Sequence, residues 1–212
     1  MSEEAARQEL ASLAQLVAAK GLTDGNSGNL SIRLNEEQVL ITPAGVPKFL
    51  VTPECLVKIH LPDGNPLAGQ GKPSSERHVH LACYRRRSNI WGIVHSHPVY
   101  STTLAASGMT VPTNLTAESA ILLRRVPLVP YIRPGTLELA EAVAAEVHDT
   151  NAVLLANHGV VCLGKTLKEA YCLLETLEFT AKIAFNLQLL GRQNPLSARQ
   201  VQELAGAYQF IG

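Results

Sequence analysis

The chain has 212 residues, of which 46% are hydrophobic and 17% are charged, and its 18 basic residues balance its 18 acidic ones. A chain of this length and apolar content can bury a core without disulfides. Its zero net charge excludes the strongly basic surface typical of proteins that bind nucleic acid or anionic membranes.

The N-terminal segment and the cysteines indicate the compartment. The segment predicts an amphipathic helix and lacks the basic and continuous apolar regions of a signal peptide. The four cysteines form no CxxC pair and no dense framework, which favours a reducing setting. We therefore expect a cytoplasmic protein with no nucleic-acid or membrane partner.

Hydrophobic periodicity and turn residues divide the chain into alternating helices and short strands. In chain order the pattern predicts a helix over 3–20, strands over 29–34, 38–41 and 57–60, a helix over 75–87, a strand over 90–97, helices over 98–107 and 117–123, a strand over 126–131, a helix over 136–148, strands over 152–156 and 160–163, and a helix over 167–190. This order predicts one α/β domain over 1–190, with a mixed, mainly antiparallel central sheet flanked by helices. A linker and a short helix or tail are expected over 191–212.

Two histidines end the predicted strand in the stretch GIVHSHPVY. Because residues i and i+2 of a strand share a face, His95 and His97 would project together. His158 lies in a predicted turn after a buried strand, and three histidines can hold a catalytic divalent cation with one position open. The spacing alone is also compatible with two polar residues on a solvated strand face.

Three further stretches have features of anion-binding loops. Ser74, Ser75 and Glu76 stand at a predicted helix start, where unpaired N–H groups attract anions. The stretches NSGNLS at 26–31 and TPAG at 42–45 contain glycines that allow a ligand to approach the backbone. Taken singly, each is better explained as an ordinary capped helix or turn.

Together and in this order, the motifs SGNLS, TPAG, PSSE, HSHP and NHG resemble the class II aldolase family, over about residues 5–190. The resemblance implies that His95, His97 and His158 bind Zn²⁺, with Mn²⁺ or Co²⁺ as alternatives. It makes Glu76 the catalytic acid/base, able to contact the metal when substrate is absent. It also implies a homotetramer with sites at subunit interfaces. The residues implied to bind the substrate phosphate are Gly28, Asn29, Ala44, Gly45, Ser74 and Ser75.

The chemistry of the site residues agrees with this resemblance. Breaking a carbon–carbon bond beside a ketone requires an enediolate to be stabilised, which a Lewis-acid metal does, while a carboxylate moves the proton. Lysines such as Lys48 are assigned to polar loops, so no Schiff base is invoked. We expect a zinc-dependent aldolase that cleaves a ketose 1-phosphate, such as L-fuculose 1-phosphate or a deoxypentulose phosphate, to dihydroxyacetone phosphate and an aldehyde.

Some positions depart from the aldolase pattern. No tyrosine stands in the region 111–118, where Glu118 is the available titratable group and a candidate catalytic residue. The presence of Glu118 favours, as the first alternative function, a dehydratase resembling the methylthioribulose-1-phosphate enzymes. The further alternatives are an epimerase or a decarboxylase of the same family, and then a non-catalytic adducin-like module. Tyr208 is a candidate tail tyrosine for a neighbouring site, and His80 is expected close behind the site.

Overall fold

A computed structural model describes residues 2–67 and 71–207. Its helices are α1 (Glu3–Ala19), α2 (Arg77–Arg86), α3 (Val99–Ala106), α4 (Ala117–Leu122), α5 (Leu137–Glu146), α6 (Leu167–Leu190) and α7 (Ala198–Ala207), with a short 3-10 helix at Lys48–Leu50. Its strands are β1 (Asn29–Arg33), β2 (Gln38–Ile41), β3 (Val57–His60), β4 (Gly92–Ser96), β5 (Leu128–Val129), β6 (Ala152–Leu155) and β7 (Gly159–Gly164).

The seven strands form one sheet in the order β3-β2-β1-β4-β7-β6-β5. All neighbouring strands are antiparallel except β5 and β6, which are parallel. The predicted mixed, mainly antiparallel sheet is therefore confirmed. The division of the chain at residue 190 stays a prediction.

Helices cover both faces of the sheet because successive strand residues point to opposite sides. On one face, Leu30 and Val94 pack in a core with α1, α3 and α6. On the other face, Ile93 and Val161 pack in a second core with α2 and α5. In β1 and β4, the residues alternating with Leu30 and Val94 face α2, and these include the polar residues of the candidate site.

Several element boundaries differ by a residue or more from the sequence prediction, and the differences at β5 and α2 have a clear physical reason. The fifth strand is only two residues long, because the prolines on either side of it, Pro127 and Pro130, have no N–H to donate to the sheet. Helix α2 begins later than expected, with Glu76 rather than Ser74 or Ser75 at the N-cap position. The hydroxyl of Ser74 instead accepts the Glu76 N–H at 3.2 Å, so it fixes the residue that precedes the helix.

The C-terminal segment returns to the main body. The Leu196 N–H donates to the Asn114 carbonyl at 2.8 Å, and the Asn114 side-chain amide donates back to Leu196 O at 3.1 Å. Tyr208, the candidate tail tyrosine, lies outside the described residues. None of the helices in the described ranges has the length and apolarity needed to cross a membrane.

Candidate metal centre

The three histidines come together where β4 ends beside the turn between β6 and β7. Their ring centroids lie 4.9 Å (His95–His97), 4.8 Å (His95–His158) and 4.9 Å (His97–His158) apart. One nitrogen from each ring can be chosen so that all three lie within 4.8 Å of one another. Neighbouring β4 and β7, paired from Gly92–Gly164 to Ser96–Val160, bring these two distant parts of the chain side by side.

The turn before β7 has the conformation needed to present His158. Asn157 has a positive φ of 56°, a left-handed conformation that asparagine tolerates better than most residues. The His158 N–H donates to Leu155 O at 3.1 Å, which closes the turn. His158 therefore stands at the end of a short hairpin, with its ring directed at the histidines of β4.

The hydrogen bonding of His95 directs its Nε2 atom into the histidine cluster. Its Nδ1–H donates to the Val160 carbonyl at 2.9 Å, so neutral His95 has its lone pair on Nε2. That Nε2 faces His97 Nε2 at 3.1 Å, and the Nδ1 atom of His158 is buried without a hydrogen-bond partner among the described residues. Three converging imidazoles with an outer-shell carbonyl fit a zinc-type cation with an open position.

Glu76 joins the histidine cluster from the N-cap of α2. Its Oε2 lies 3.1 Å from His95 Nε2 and its Oε1 lies 3.2 Å from His158 Nε2, while the side chain is 13% exposed. Burial opposes ionisation of Glu76, but the adjacent His95 and His158 outweigh it and hold the pKa of the carboxyl far below its usual range. Burial together with the charges of His95 and His158 lowers the pKa of His97 to about 4.

A ladder of hydrogen bonds runs behind Glu76 between α2 and β1. The Asn29 side-chain amide donates to Glu76 Oε2 at 3.0 Å, and its Oδ1 lies 2.5 Å from His80 Nε2. His80 Nδ1 lies 2.7 Å from Ser31 Oγ, which in turn lies 2.8 Å from the Tyr84 hydroxyl. The ladder forms because Glu76, His80 and Tyr84 recur every four residues along one helix face, while Asn29 and Ser31 share one strand face.

The donors of this ladder all point towards the carboxylate. Because Asn29 donates through its nitrogen to Glu76, its oxygen must accept from His80 Nε2–H, and His80 Nδ1 must accept from the Ser31 hydroxyl. Burial lowers the pKa of His80 to about 3 and raises the pKa of Tyr84, so both remain neutral. His80 therefore lies close behind the site, as the sequence predicted. The sequence analysis did not predict that Ser31 and Tyr84 would take part in this hydrogen-bond chain.

The neutral state of buried His80 makes stability depend on pH. The pKa of His80 falls from the usual 6.5 to about 3 on folding, so below pH 6.5 the unfolded chain binds more protons and stability falls as pH falls. Between pH 6.5 and pH 5 we expect the free energy of unfolding of wild type to fall by about 2 kcal/mol more than that of His80→Gln, because glutamine does not titrate. Urea denaturation of both metal-depleted proteins measures this; parallel pH dependences would contradict it.

Backbone hydrogen bonds connect the 42–45 stretch with the segment that precedes α2, two of the predicted phosphate-binding regions. Ser74 N–H donates to Thr42 O at 3.3 Å, and Ala44 N–H donates to Lys72 O at 3.0 Å. The amides of Gly28, Gly45 and Ser75 have no acceptor among the described residues. The expected backbone contact from Ala44 is therefore already used within the protein, and three other backbone donors remain open.

The position of Lys48 corrects the sequence interpretation. It was assigned to a polar loop, but its side chain is buried, with 2% exposure. Its ammonium donates to Asn26 O and to Val46 O, each at 3.2 Å. These two carbonyls compensate part of the cost of burying the ammonium.

Glu118 lies on the first turn of α4, exposed to solvent. It lines a cavity of about 590 Å³ together with Tyr100 and Glu178, whereas no hydrogen bond or ion pair within the described ranges joins it to the histidine cluster. The Glu178 carboxylate accepts the N–H groups of Tyr100 and Ser101, both at 2.8 Å. It thereby fixes the start of α3 immediately after His97.

Gly159 is packed directly against His97 of the candidate metal centre. A Cβ there would lie 2.5 Å from His97 Cδ2 and 2.5 Å from Ser96 O. Gly159→Ala should displace the His97 ring and weaken binding of a divalent cation at the histidine cluster about 10-fold or more, since changes beside metal ligands have effects of this size. Competition with a chelating dye measures the affinity, with Gly206→Ala, which has open space around it, as control; equal affinities would refute the packing argument.

Comparison with known proteins identifies the family. Residues 8–185 match the model of the Class II Aldolase and Adducin N-terminal domain. The chain is 36% identical over 211 residues to a 5-deoxy-D-ribulose 1-phosphate aldolase of Bacillus thuringiensis, covering 97% of this chain and 96% of that one. It is 38% identical over 208 residues to a 3-oxo-tetronate 4-phosphate decarboxylase of Escherichia coli, covering 95% and 96%.

A solved structure gives the same result. An L-fuculose 1-phosphate aldolase superposes with a TM-score of 0.90 at 31% identity, covering 99% of both chains. The named relatives are aldolases and decarboxylases, which agrees with the expectation of a metal-dependent lyase. The chain belongs to the class II aldolase and adducin family.

Proposed function

We propose that the protein is a zinc-dependent aldolase that cleaves a ketose 1-phosphate to dihydroxyacetone phosphate and an aldehyde. The observation that carries the proposal is the convergence of His95, His97 and His158 around the Glu76 carboxylate. The substrate class is supported by relatives named for 5-deoxy-D-ribulose 1-phosphate and L-fuculose phosphate. L-Fuculose 1-phosphate and a deoxypentulose 1-phosphate are therefore the first candidates.

The three histidines would hold the ion, Zn²⁺ or alternatively Mn²⁺ or Co²⁺, through ring nitrogens. When bound, the ion supplies a Lewis acid for the negative charge that develops on substrate oxygens. Glu76 would transfer the proton on carbon. Asn29 donates to its Oε2, while its Oε1 lies 3.2 Å from His158 Nε2, so one carboxylate oxygen is held by Asn29 and the other is directed at the histidine cluster.

The substrate phosphate would bind against the joined loops. Gly28, Gly45 and Ser75 offer backbone amides, the Ser74 and Ser75 hydroxyls lie before α2, and Asn29 borders the same region. Ala44 would act by holding the loop, because its N–H is donated to Lys72 O. Binding the unreactive phosphate end orients the reacting carbons at Glu76.

We also propose a cytoplasmic homotetramer with sites at subunit interfaces. Val99, two residues after His97, is 64% exposed, and Phe179 beside the neighbouring cavity is also 64% exposed. Apolar side chains exposed so close to the site are what a second subunit would cover. Tyr208 remains a candidate contribution from such a neighbour.

A decarboxylase is the second candidate, because the Escherichia coli relative of that name covers nearly the whole chain. A dehydratase with Glu118 as its acid/base and an epimerase remain further alternatives, and a non-catalytic adducin-like module is the alternative outside enzymes.

One assay tests the proposal and separates these candidates. The zinc-loaded protein is incubated with several ketose 1-phosphates and with 3-oxo-tetronate 4-phosphate, and the products are identified. Dihydroxyacetone phosphate with an equal amount of aldehyde is the expected result. Loss of a ketose phosphate without dihydroxyacetone phosphate would favour the dehydratase, carbon dioxide release would favour the decarboxylase, and turnover of none would refute the aldolase.

A further inference from the structure

Lys48 is a buried cation to which the proposed reaction gives no role. Its ammonium donates to the carbonyl of Asn26, the first residue of the 26–31 stretch, and to that of Val46, the residue that directly follows the 42–45 stretch. An ammonium has three N–H donors, so one remains after these two contacts. The side chain therefore both joins the loops and retains a donor.

Joining two loops does not require a charge. Burying an ammonium is costly unless an anion compensates it, whereas a neutral donor would join two carbonyls at a lower cost. Burial lowers the pKa of Lys48, and the negative charge of Glu76 opposes that shift.

The candidate phosphate site needs a cation of its own. The open amides of Gly28, Gly45 and Ser75 can donate hydrogen bonds but carry no net charge. The nearby Glu76 carboxylate repels a phosphate dianion, and a cation within these loops would offset that repulsion. Lys48 lies next to both glycine-containing stretches, since its ammonium donates to the Asn26 carbonyl within one and to the Val46 carbonyl directly after the other.

We propose that Lys48 supplies the positive charge that binds the phosphate group of the substrate, while its two carbonyl contacts hold the phosphate loops in register. The proposal rests on the proposed function for the identity of the substrate. It makes Lys48 a specificity-determining residue for a phosphorylated over an unphosphorylated ketose.

The first test measures binding of inorganic phosphate to the zinc-loaded protein by calorimetry. We expect Lys48→Met to weaken phosphate binding about 10-fold or more, because it removes a charge-assisted contact from a buried site. Lys48→Arg, which keeps the charge, should recover part of the affinity. Lys168→Met removes the same charge from an exposed position on α6 and should bind phosphate as wild type does. Unchanged phosphate affinity in Lys48→Met would overturn the proposal.

A kinetic comparison separates charge from loop positioning. If Lys48 binds phosphate, Lys48→Met should raise the KM for a ketose 1-phosphate far more than it alters kcat/KM for the unphosphorylated ketose. An equal loss on both substrates would show a purely structural role and overturn the proposal. Phosphate affinity is measured without turnover, so Lys48-dependent phosphate binding in a protein that cleaves no ketose phosphate would refute only the proposed function.

A measurement on wild type covers the case in which Lys48→Met does not fold. Saturable addition of inorganic phosphate should shift the side-chain ammonium signal of Lys48 in the nitrogen NMR spectrum. A signal that stays fixed while phosphate binds would overturn the proposal.

Discussion

Replacing Glu76 with glutamine is expected to lower kcat about 1000-fold, within the range by which a general acid or base accelerates reactions. Glutamine keeps the shape and can still accept the hydrogen bond from Asn29, but it cannot take up a proton at neutral pH. The metal content should be unchanged, because the three histidine nitrogens remain. Steady-state kinetics and elemental analysis of the same preparation measure both quantities.

Two matched variants serve as the control and as the test of an alternative for this experiment. Glu141→Gln, on an exposed part of α5, should retain wild-type turnover. Glu118→Gln tests the dehydratase alternative, since the aldolase proposal has Glu76 as the principal proton carrier. Wild-type turnover by Glu76→Gln would remove the role given to Glu76, and a larger loss in Glu118→Gln would transfer that role to α4.

Replacing His95 with alanine should abolish stoichiometric metal binding and turnover together. His95 is 2% exposed, and its bond to Val160 O directs its Nε2 at the other two histidines. Loss of one of three protein ligands leaves too few to hold a catalytic ion. Metal content after dialysis against a weak chelator measures the loss.

The control for His95 is an exposed histidine of the same chain. His148 has 52% of its side chain exposed and lies beside Asp149, away from the candidate site. His148→Ala should keep both the ion and the activity. An ion retained at wild-type stoichiometry by His95→Ala would refute the three-histidine site.

Sequence reasoning could place the three histidines and Glu76 because their motifs are local. An HxH pair at a strand end projects to one face whatever the rest of the fold does. The chain also has strong strand patterns for β4, β6 and β7, and these strands bring His158 to the pair. The length of β5 was overestimated, since the apolar residues over 126–131 look like strand positions, although Pro127 and Pro130 limit the pairing with β6 to two residues.

The residues behind the site could not be obtained from single motifs. Ser31 and Tyr84 become visible only when the i, i+4, i+8 face of α2 is laid over the i, i+2 face of β1. Lys48 was missed for a different reason, because lysine in a proline- and glycine-rich stretch is normally solvated. Its burial depends on carbonyls from two separate turns, which no local pattern reveals.

The most direct test of the metal-dependent reaction is a single titration of wild type. The protein is stripped with a chelator, zinc is added back in steps, and both bound metal and the release of dihydroxyacetone phosphate from a ketose 1-phosphate are followed. We predict that activity rises with bound zinc and saturates at about one ion per chain, as three histidine ligands with an open position require. Full activity in the metal-free protein would contradict the account.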